Sequence, residues 1–340
     1  MTLQSNDRQP SLDALAEAGN ISGAIAPTLH PDDWLYHRTT LEWVFQTPLG
    51  QQLPPLYQLF RAYCYLYFSL TVENQLRGGR LLFKLLSQVQ YRLSPQGYLK
   101  FSLKKYEAFL DPFDPRCLQV VNELSRDDSD VKVLEYLLSE GDSFIDVGAN
   151  HGSFSIVASK LVGSRGSVTA IEPQPRLARA VEKSLALNAL GRFQVYPVAV
   201  GAFDGEIELL VPQGSSGAAG IYSDHSAVQA HATLPVAIRK FDTLLDWRSL
   251  PGQVVVKLDI EGSELAFLAG AQAMLTTLKP RLILEVHPGT LKAAGKTGAD
   301  LKKALQDLGY GRYAEVNKPE VTFPMEDLNT QFQRNVIALQ

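Results

Sequence analysis

Cysteine is nearly missing from this chain. Cys64 and Cys117 are the only two in 340 residues, and they lie far apart. That excludes a C-x-x-C redox or zinc motif and a disulfide framework, and it fits buried thiols in a reducing compartment. Long hydrophobic runs are lacking as well. No stretch approaches the roughly 18 consecutive apolar residues of a membrane-spanning helix, so no integral membrane segment is expected. Met1–Asn20 is polar and has no apolar signal-peptide core, so the expected location is cytoplasmic. An excess of positive charge is lacking too. Lys and Arg total 32 against 36 Asp and Glu, a net charge of −4, so nucleic acid is not an expected partner. What is present, 45% hydrophobic and 20% charged residues, is ordinary for a globular protein with a sizeable core.

Residues 1–28 mix Ser, Asn, Asp, Gly and Pro without periodicity and are expected to form a mobile tail. Residues 29–95 read as a helical extension. Trp34–Phe45 is aromatic and short. Leu56, Phe60, Tyr63, Tyr67 and Leu70 recur at helical spacing, as do Leu81, Leu82, Leu85, Leu86 and Val89. Their aromatic faces are read as packing surface and as a candidate homo-oligomer contact. From about residue 96 the period changes. Leu99, Phe101 and Leu103 alternate with polar residues as in a half-buried strand, and short helices are expected at Val120–Leu124 and Val133–Leu138.

The centre of the chain is F-I-D-V-G-A-N-H-G, Phe144–Gly152. A short apolar run reads as a strand buried on both faces, followed by a glycine turn and a helix start. This geometry suits a nucleotide-like ligand. The spacing is D-x-G-x-x-x-G, with Asp146, Gly148 and Gly152, and not the G-x-G-x-x-G of dinucleotide sites. A nicotinamide-dependent oxidoreductase is therefore the weaker reading. Ser167–Glu172 reads as the next buried strand. Its tip, Glu172, stands 24 residues after Gly148, where a carboxylate accepts from both hydroxyls of a ribose.

Phe193–Val200 reads as a third strand, and the region near Ala199 and Val200 would meet an adenine in a nucleotide-binding architecture. Ile207–Val211 and Pro235–Phe241 flank a loop, Gln213–Ala232, read as a lid, with His225 and His231 as ordinary loop residues. Val254–Glu264, V-V-V-K-L-D-I-E-G-S-E, reads as a central strand with Asp259 and Glu261 at its carboxyl end, where open α/β sheets bind ligands. Arg281–His287 ends likewise in Glu285 and His287. Tyr310–Val316 and Asn335–Leu339 complete an expected seven strands.

In this order, F-I-D-V-G-A-N-H-G, I-E-P, K-F-D-T-L-L, V-K-L-D-I-E-G-S-E and L-E-V-H-P resemble the FkbM family of S-adenosylmethionine-dependent methyltransferases, over residues 97–340. The resemblance implies a Rossmann-like α/β fold, a seven-stranded class I methyltransferase sheet with its last strand antiparallel, in a domain spanning 96–340. It implies S-adenosyl-L-methionine as cofactor and O-methylation of a hydroxyl on a sugar, glycan or secondary metabolite. His151 stands where the family often has a small aliphatic residue. The expected cofactor-binding residues are Asp146, Gly148, Asn150, Gly152, Glu172 and Ala199. The candidate bases are Asp259, His287, Glu261 and Glu285, with Asp259 and His287 preferred. Asp259, Glu285 and His287 could instead hold a divalent metal, but nothing in the spacing requires one and none is expected. A methyltransferase fold retained only as a binding module is the alternative from a different class.

Overall fold

The structure is a computed structural model. It describes residues 38–39 and 98–340, except 104, 111–113, 115, 126–129, 213–218 and 222–230. The expected tail, the expected helices between residues 56 and 89, and most of the expected lid with His225 lie outside the described residues.

In chain order the strands are β1 (Arg38–Thr39), β2 (Leu99–Ser102), β3 (Glu107–Leu110), β4 (Ser143–Val147), β5 (Ser167–Ile171), β6 (Arg192–Tyr196), β7 (Ala199–Val200), β8 (Gly205–Pro212), β9 (His231–Arg239), β10 (Val254–Leu258), β11 (Arg281–Val286), β12 (Arg312–Glu315), β13 (Lys318–Pro324) and β14 (Arg334–Leu339). The helices are α1 (Arg116–Ser125), α2 (Val133–Leu137), α3 (Ser153–Leu161), α4 (Pro175–Asn188), α5 (Phe241–Leu244), α6 (Glu264–Gly270), α7 (Gln272–Leu278), α8 (Pro288–Ala293) and α9 (Gly298–Asp307).

The main sheet runs β13-β12-β14-β11-β10-β4-β5-β6. From β6 to β11 the strands are parallel, and β14 enters antiparallel between β11 and β12. The sheet has eight strands where seven were expected, and its last strand, β14, is antiparallel. An eighth, β13, was not expected. It returns from β12 as a hairpin whose Lys, Glu and two prolines give no apolar alternation to read.

Strand periodicity sorts the two faces. On β4, Phe144 joins the core under α2, α3 and α4, while Ile145 and Val147 join the core under α6, α7 and α9. On β10, Val255 belongs to the first core, and Val254, Val256 and Leu258 to the second. Side chains alternate with period two, so Asp146 and Lys257 point to the first face, and the register places them opposite each other. Parallel central strands covered on both faces explain the near-continuous apolar runs.

Three expectations change. The third strand does not continue to Val200. It breaks at Pro197, which has no N–H to donate to a ladder. β6 ends the main sheet, and β7 joins β9 and β8 in a separate three-stranded sheet. Within that sheet His231 opens β9 and is not a loop residue, while Phe241 begins α5. Inside Trp34–Phe45, expected as helix, Arg38 and Thr39 form a strand paired with Ser102 and Phe101 of β2. No helix among the described residues is long and apolar enough to cross a membrane.

Candidate functional site

A cavity of about 640 Å³ opens at the carboxyl ends of β4, β5, β10 and β11. Its position follows from topology: in an open parallel sheet the loops leaving the strand ends diverge and leave a crevice.

At one end lies the glycine turn. Gly148 has φ +79°, and a Cβ there would collide with the carbonyl oxygen of Asp259 on the neighbouring strand end. Only glycine permits both the left-handed backbone and this approach. Asn150 also has positive φ, 52°. Its backbone N–H donates to Glu172 Oε2 at 2.7 Å, and the N–H of Gln174 donates to Glu172 Oε1 at 2.9 Å. Glu172 is 3% exposed yet lines the cavity. Burial pushes its carboxyl up to about 7, against the pull of those backbone hydrogen bonds. Gly148, Asn150, Glu172 and Ala199 all line the cavity.

Two of the expected cofactor residues do not. Asp146 is 1% exposed and sits beneath the turn. Its Oδ2 accepts from the Ser155 N–H at 3.1 Å and the Ser155 hydroxyl at 2.6 Å, tying α3 to β4. Gly152, with φ +79°, precedes α3, and a Cβ would press on Val181 of α4 at 3.0 Å. Both residues support the turn from behind because their strand and helix faces point into the core.

His151 is fully buried. Its Nδ1 lies 2.6 Å from Asn150 Oδ1, which can only accept, so Nδ1 carries the proton. Nε2 has no hydrogen-bond partner. Burial pushes the imidazole down to about 4, so it is neutral at physiological pH. Where an aliphatic residue would only fill space, this histidine fixes the Asn150 side chain.

The other end of the cavity is acidic. Asp259, Glu261 and Glu285 each bring a carboxylate oxygen within 4.8 Å of the other two. Lys257 Nζ lies 3.1 Å from Asp259 Oδ2 and 3.7 Å from the buried Asp146, and it sits 5.0 Å over the Phe154 ring. Burial raises the Asp259 carboxyl, but the Lys257 and Arg116 cations and the Lys257 hydrogen bond outweigh it, and the net shift is downward. Glu261, held at φ 47°, moves the other way, to about 8, through burial and repulsion from Asp259, Glu285 and Glu264. Glu285 accepts from Gln333 Nε2 at 2.6 Å.

His287 lines the cavity but is fixed as a helix cap. The Thr290 N–H donates to its Nδ1 at 3.2 Å at the start of α8. In neutral imidazole the proton is then on Nε2, which makes His287 a donor toward the site. That geometry disfavours it as a base. It also lies outside the acidic group, where Glu261 takes the place expected for it beside Asp259 and Glu285.

Sequence reasoning missed several lining residues. Lys257 was readable: it is the polar position of V-V-V-K-L and shares a strand face with Asp146 across the register. Arg116, Gln119 and Glu123 recur at i, i+3 and i+7 on the polar side of α1, the helix read only from its apolar side. Asp130, Gln333 and Asn335 carried no local signal. Asn335 Nδ2 donates to Asp130 Oδ2 at 3.1 Å across 205 residues of sequence.

Site and topology define an α/β protein with a crevice at the strand carboxyl ends. Residues 146–311 match the family described as the methyltransferase FkbM domain. Among solved structures it is similar to a methyltransferase FkbM from Methylobacillus flagellatus KT, at 18% identity and TM-score 0.39 over 60% of this chain. The match spans 44% of the length of that protein. It is also similar to an S-adenosylmethionine-dependent methyltransferase from Aquifex aeolicus (18% identity, 67% of this chain, 94% of that one, TM-score 0.35). A third similar structure is a magnesium protoporphyrin IX methyltransferase from Synechocystis PCC 6803 with bound S-adenosylmethionine (14%, 62% and 86%, TM-score 0.31). No curated protein sequence matches the chain.

Proposed function

We propose that this protein transfers a methyl group from S-adenosylmethionine to a hydroxyl of a polyhydroxylated acceptor, such as a sugar or glycan. The observation that carries the proposal is one continuous cavity with a ribose-type carboxylate at one end and a carboxylate cluster at the other. Its volume lies in the range of small-ligand sites.

The residues fit the cofactor. Gly148 leaves backbone space that any side chain would fill. Glu172 uses one lone pair of each oxygen on backbone N–H groups, leaving lone pairs free for two ribose hydroxyls. Asn150 and Ala199 line the same edge. When bound, S-adenosylmethionine supplies an electrophilic methyl group on sulfur.

The chain's own task is alignment and proton removal. Lys257 holds the Asp259 carboxylate at the end of β10 in one orientation. Asp259, with Glu261 and Glu285 beside it, accepts the hydrogen bond of the acceptor hydroxyl and takes its proton as the carbon–oxygen bond forms and the carbon–sulfur bond breaks. His287 Nε2–H and the Gln333 and Asn335 amides give further groups for neighbouring hydroxyls. Paired amides and carboxylates on this wall suit an acceptor rich in hydroxyls better than an apolar one.

The test has two parts. Calorimetry should show S-adenosylmethionine binding at one site. Incubation with methyl-labelled cofactor and cell extract should label a product whose new bond is a methyl ether. Absence of cofactor binding overturns the proposal, and label found only on nitrogen or carbon overturns the hydroxyl assignment.

A further inference from the structure

We propose that Asp259, Glu261 and Glu285 form a site for a hard divalent cation, Mg²⁺, Mn²⁺ or Ca²⁺, at the acceptor end of the cavity. The proposal rests on the hydroxyl-methylation reading only for the use made of the ion.

The geometry is that of a ligand set. One oxygen from each carboxylate falls within 4.8 Å of the other two. Oxygens on opposite sides of Ca²⁺, each bonded at about 2.3–2.6 Å, lie about 4.6–5.2 Å apart, and those around Mg²⁺ lie somewhat closer. Small side-chain rotations therefore close the site. A donor set made only of carboxylate oxygen selects Mg²⁺, Ca²⁺ or Mn²⁺ over zinc or copper. His287, which would shift that preference, is not among the converging groups.

A second observation is independent of the cluster. Ser263 lines the same cavity, is 3% exposed, and precedes α6 as its N-cap. A serine there ordinarily bonds the first turn of the helix. This one makes no capping bond, and its hydroxyl has no partner. Glu264, also 3% exposed, is tied by Oε1 to the Gly262 N–H at 3.2 Å, which holds its carboxylate against the loop carrying Glu261. Its Oε2 has no partner either. Buried polar atoms left unpaired are rare because each costs about 1–3 kcal/mol. Hard divalent cations such as Mg²⁺ keep several bound waters, one of which would donate to Ser263 Oγ.

Two fixed cations stand nearby, and Arg116 is 3.8 Å from Glu123. Lys257 sits between Asp146 and Asp259 and approaches only Oδ2 of the latter. Asp259 Oδ1 remains for a cation. In place of direct proton transfer to Asp259, a hydroxyl bound to such an ion would lose its proton to solvent as the methyl–oxygen bond forms and the methyl–sulfur bond breaks.

The test titrates Mn²⁺ into the full chain without cofactor, following free Mn²⁺ by electron paramagnetic resonance. One saturable site is expected. Glu261→Gln and Glu285→Gln should each weaken it by about tenfold or more. Glu172→Gln, at the other end of the cavity, should leave Mn²⁺ affinity unchanged while weakening S-adenosylmethionine. Unfolding curves identify any variant that fails to fold. Glu285→Gln, on a half-buried residue, keeps the test open if Glu261→Gln does. No saturable Mn²⁺ binding, or unchanged affinity in both cluster variants, overturns the proposal. So does binding of an alkyl diamine at the cluster with no Mn²⁺ binding, which would assign the acids to an amine-bearing acceptor. Mn²⁺ binding without cofactor binding would instead sink the functional reading and leave the cation site standing.

Discussion

Glu172→Gln separates what the site needs from what the fold tolerates. The carboxylate is buried, and both its oxygens accept backbone N–H bonds. A glutamine offers one carbonyl oxygen, so either the Asn150 or the Gln174 N–H loses its acceptor, at about 1–3 kcal/mol. Against this stands the proton. The group titrates near 7 in the folded chain and near 4.5 when unexposed to the fold. Between those values this group binds more protons in the folded state than in the unfolded one, so its contribution to stability falls as pH rises. The displacement corresponds to about 3 kcal/mol, absent below 4.5 and complete above 7. Glutamine does not titrate. The variant should therefore be less stable than wild type at pH 5, and the gap should close or reverse at pH 8. Urea denaturation at the two pH values measures it. Cofactor affinity should fall about 10–100-fold at pH 8, from loss of a charged hydrogen-bond acceptor. An equal stability loss at both pH values, or unchanged cofactor affinity, would refute the reasoning. His151 supplies the internal control. Its folded value lies near 4 against an ordinary 6.5, so as pH falls from 6.5 to 4 only the unfolded chain gains a proton and stability drops. The two slopes oppose each other: Glu172→Gln should expose the histidine's, and His151→Leu the carboxylate's.

Gly148→Ala would place a methyl group on the Asp259 carbonyl and hold alanine at φ +79°. The backbone term alone is about 1–2 kcal/mol, and cofactor affinity by calorimetry should drop about tenfold or more. Lys257→Met leaves the buried Asp146 without its cation and should lower unfolding free energy by about 3–5 kcal/mol, read from urea curves. A loss under about 1 kcal/mol would show that Lys257 does not compensate Asp146. Thr297→Ala removes the capping box of α9, none of whose residues lines the cavity, and should lower stability by about 1 kcal/mol without changing methyl transfer.

Much of the fold was legible because it repeats short-range rules. The buried strands β4, β5, β10 and β11 announce themselves as apolar runs, and the turn at Gly148 as a glycine pattern. The candidate site was legible only where it lies at strand tips. Asp146 and Gly152 belong to the same motif as Gly148, yet they face the core, since a motif records what a turn needs without separating ligand contacts from support. His287 looked like a base from its type and position, but its Nδ1 is committed to the Thr290 N–H. β13 and β7 escaped because polar edge strands and two-residue strands lack the periodicity that betrays a buried one.

The sequence by itself determined the strand–turn–helix that opens the α/β domain, the carboxylate at the tip of β5 and the acids at the tips of β10 and β11. Each is a local pattern dictated by burial and backbone conformation. Only the tertiary structure decided which of these meet. Glu172 is separated from Asp259 by 87 positions, counted as 259 minus 172, and the two line one cavity because β4 lies between β5 and β10. Lys257 faces Asp146 through strand register, and α1 brings Arg116 to the same crevice. Those meetings depend on strand order and pairing, which are properties of the folded sheet and not of any segment within it.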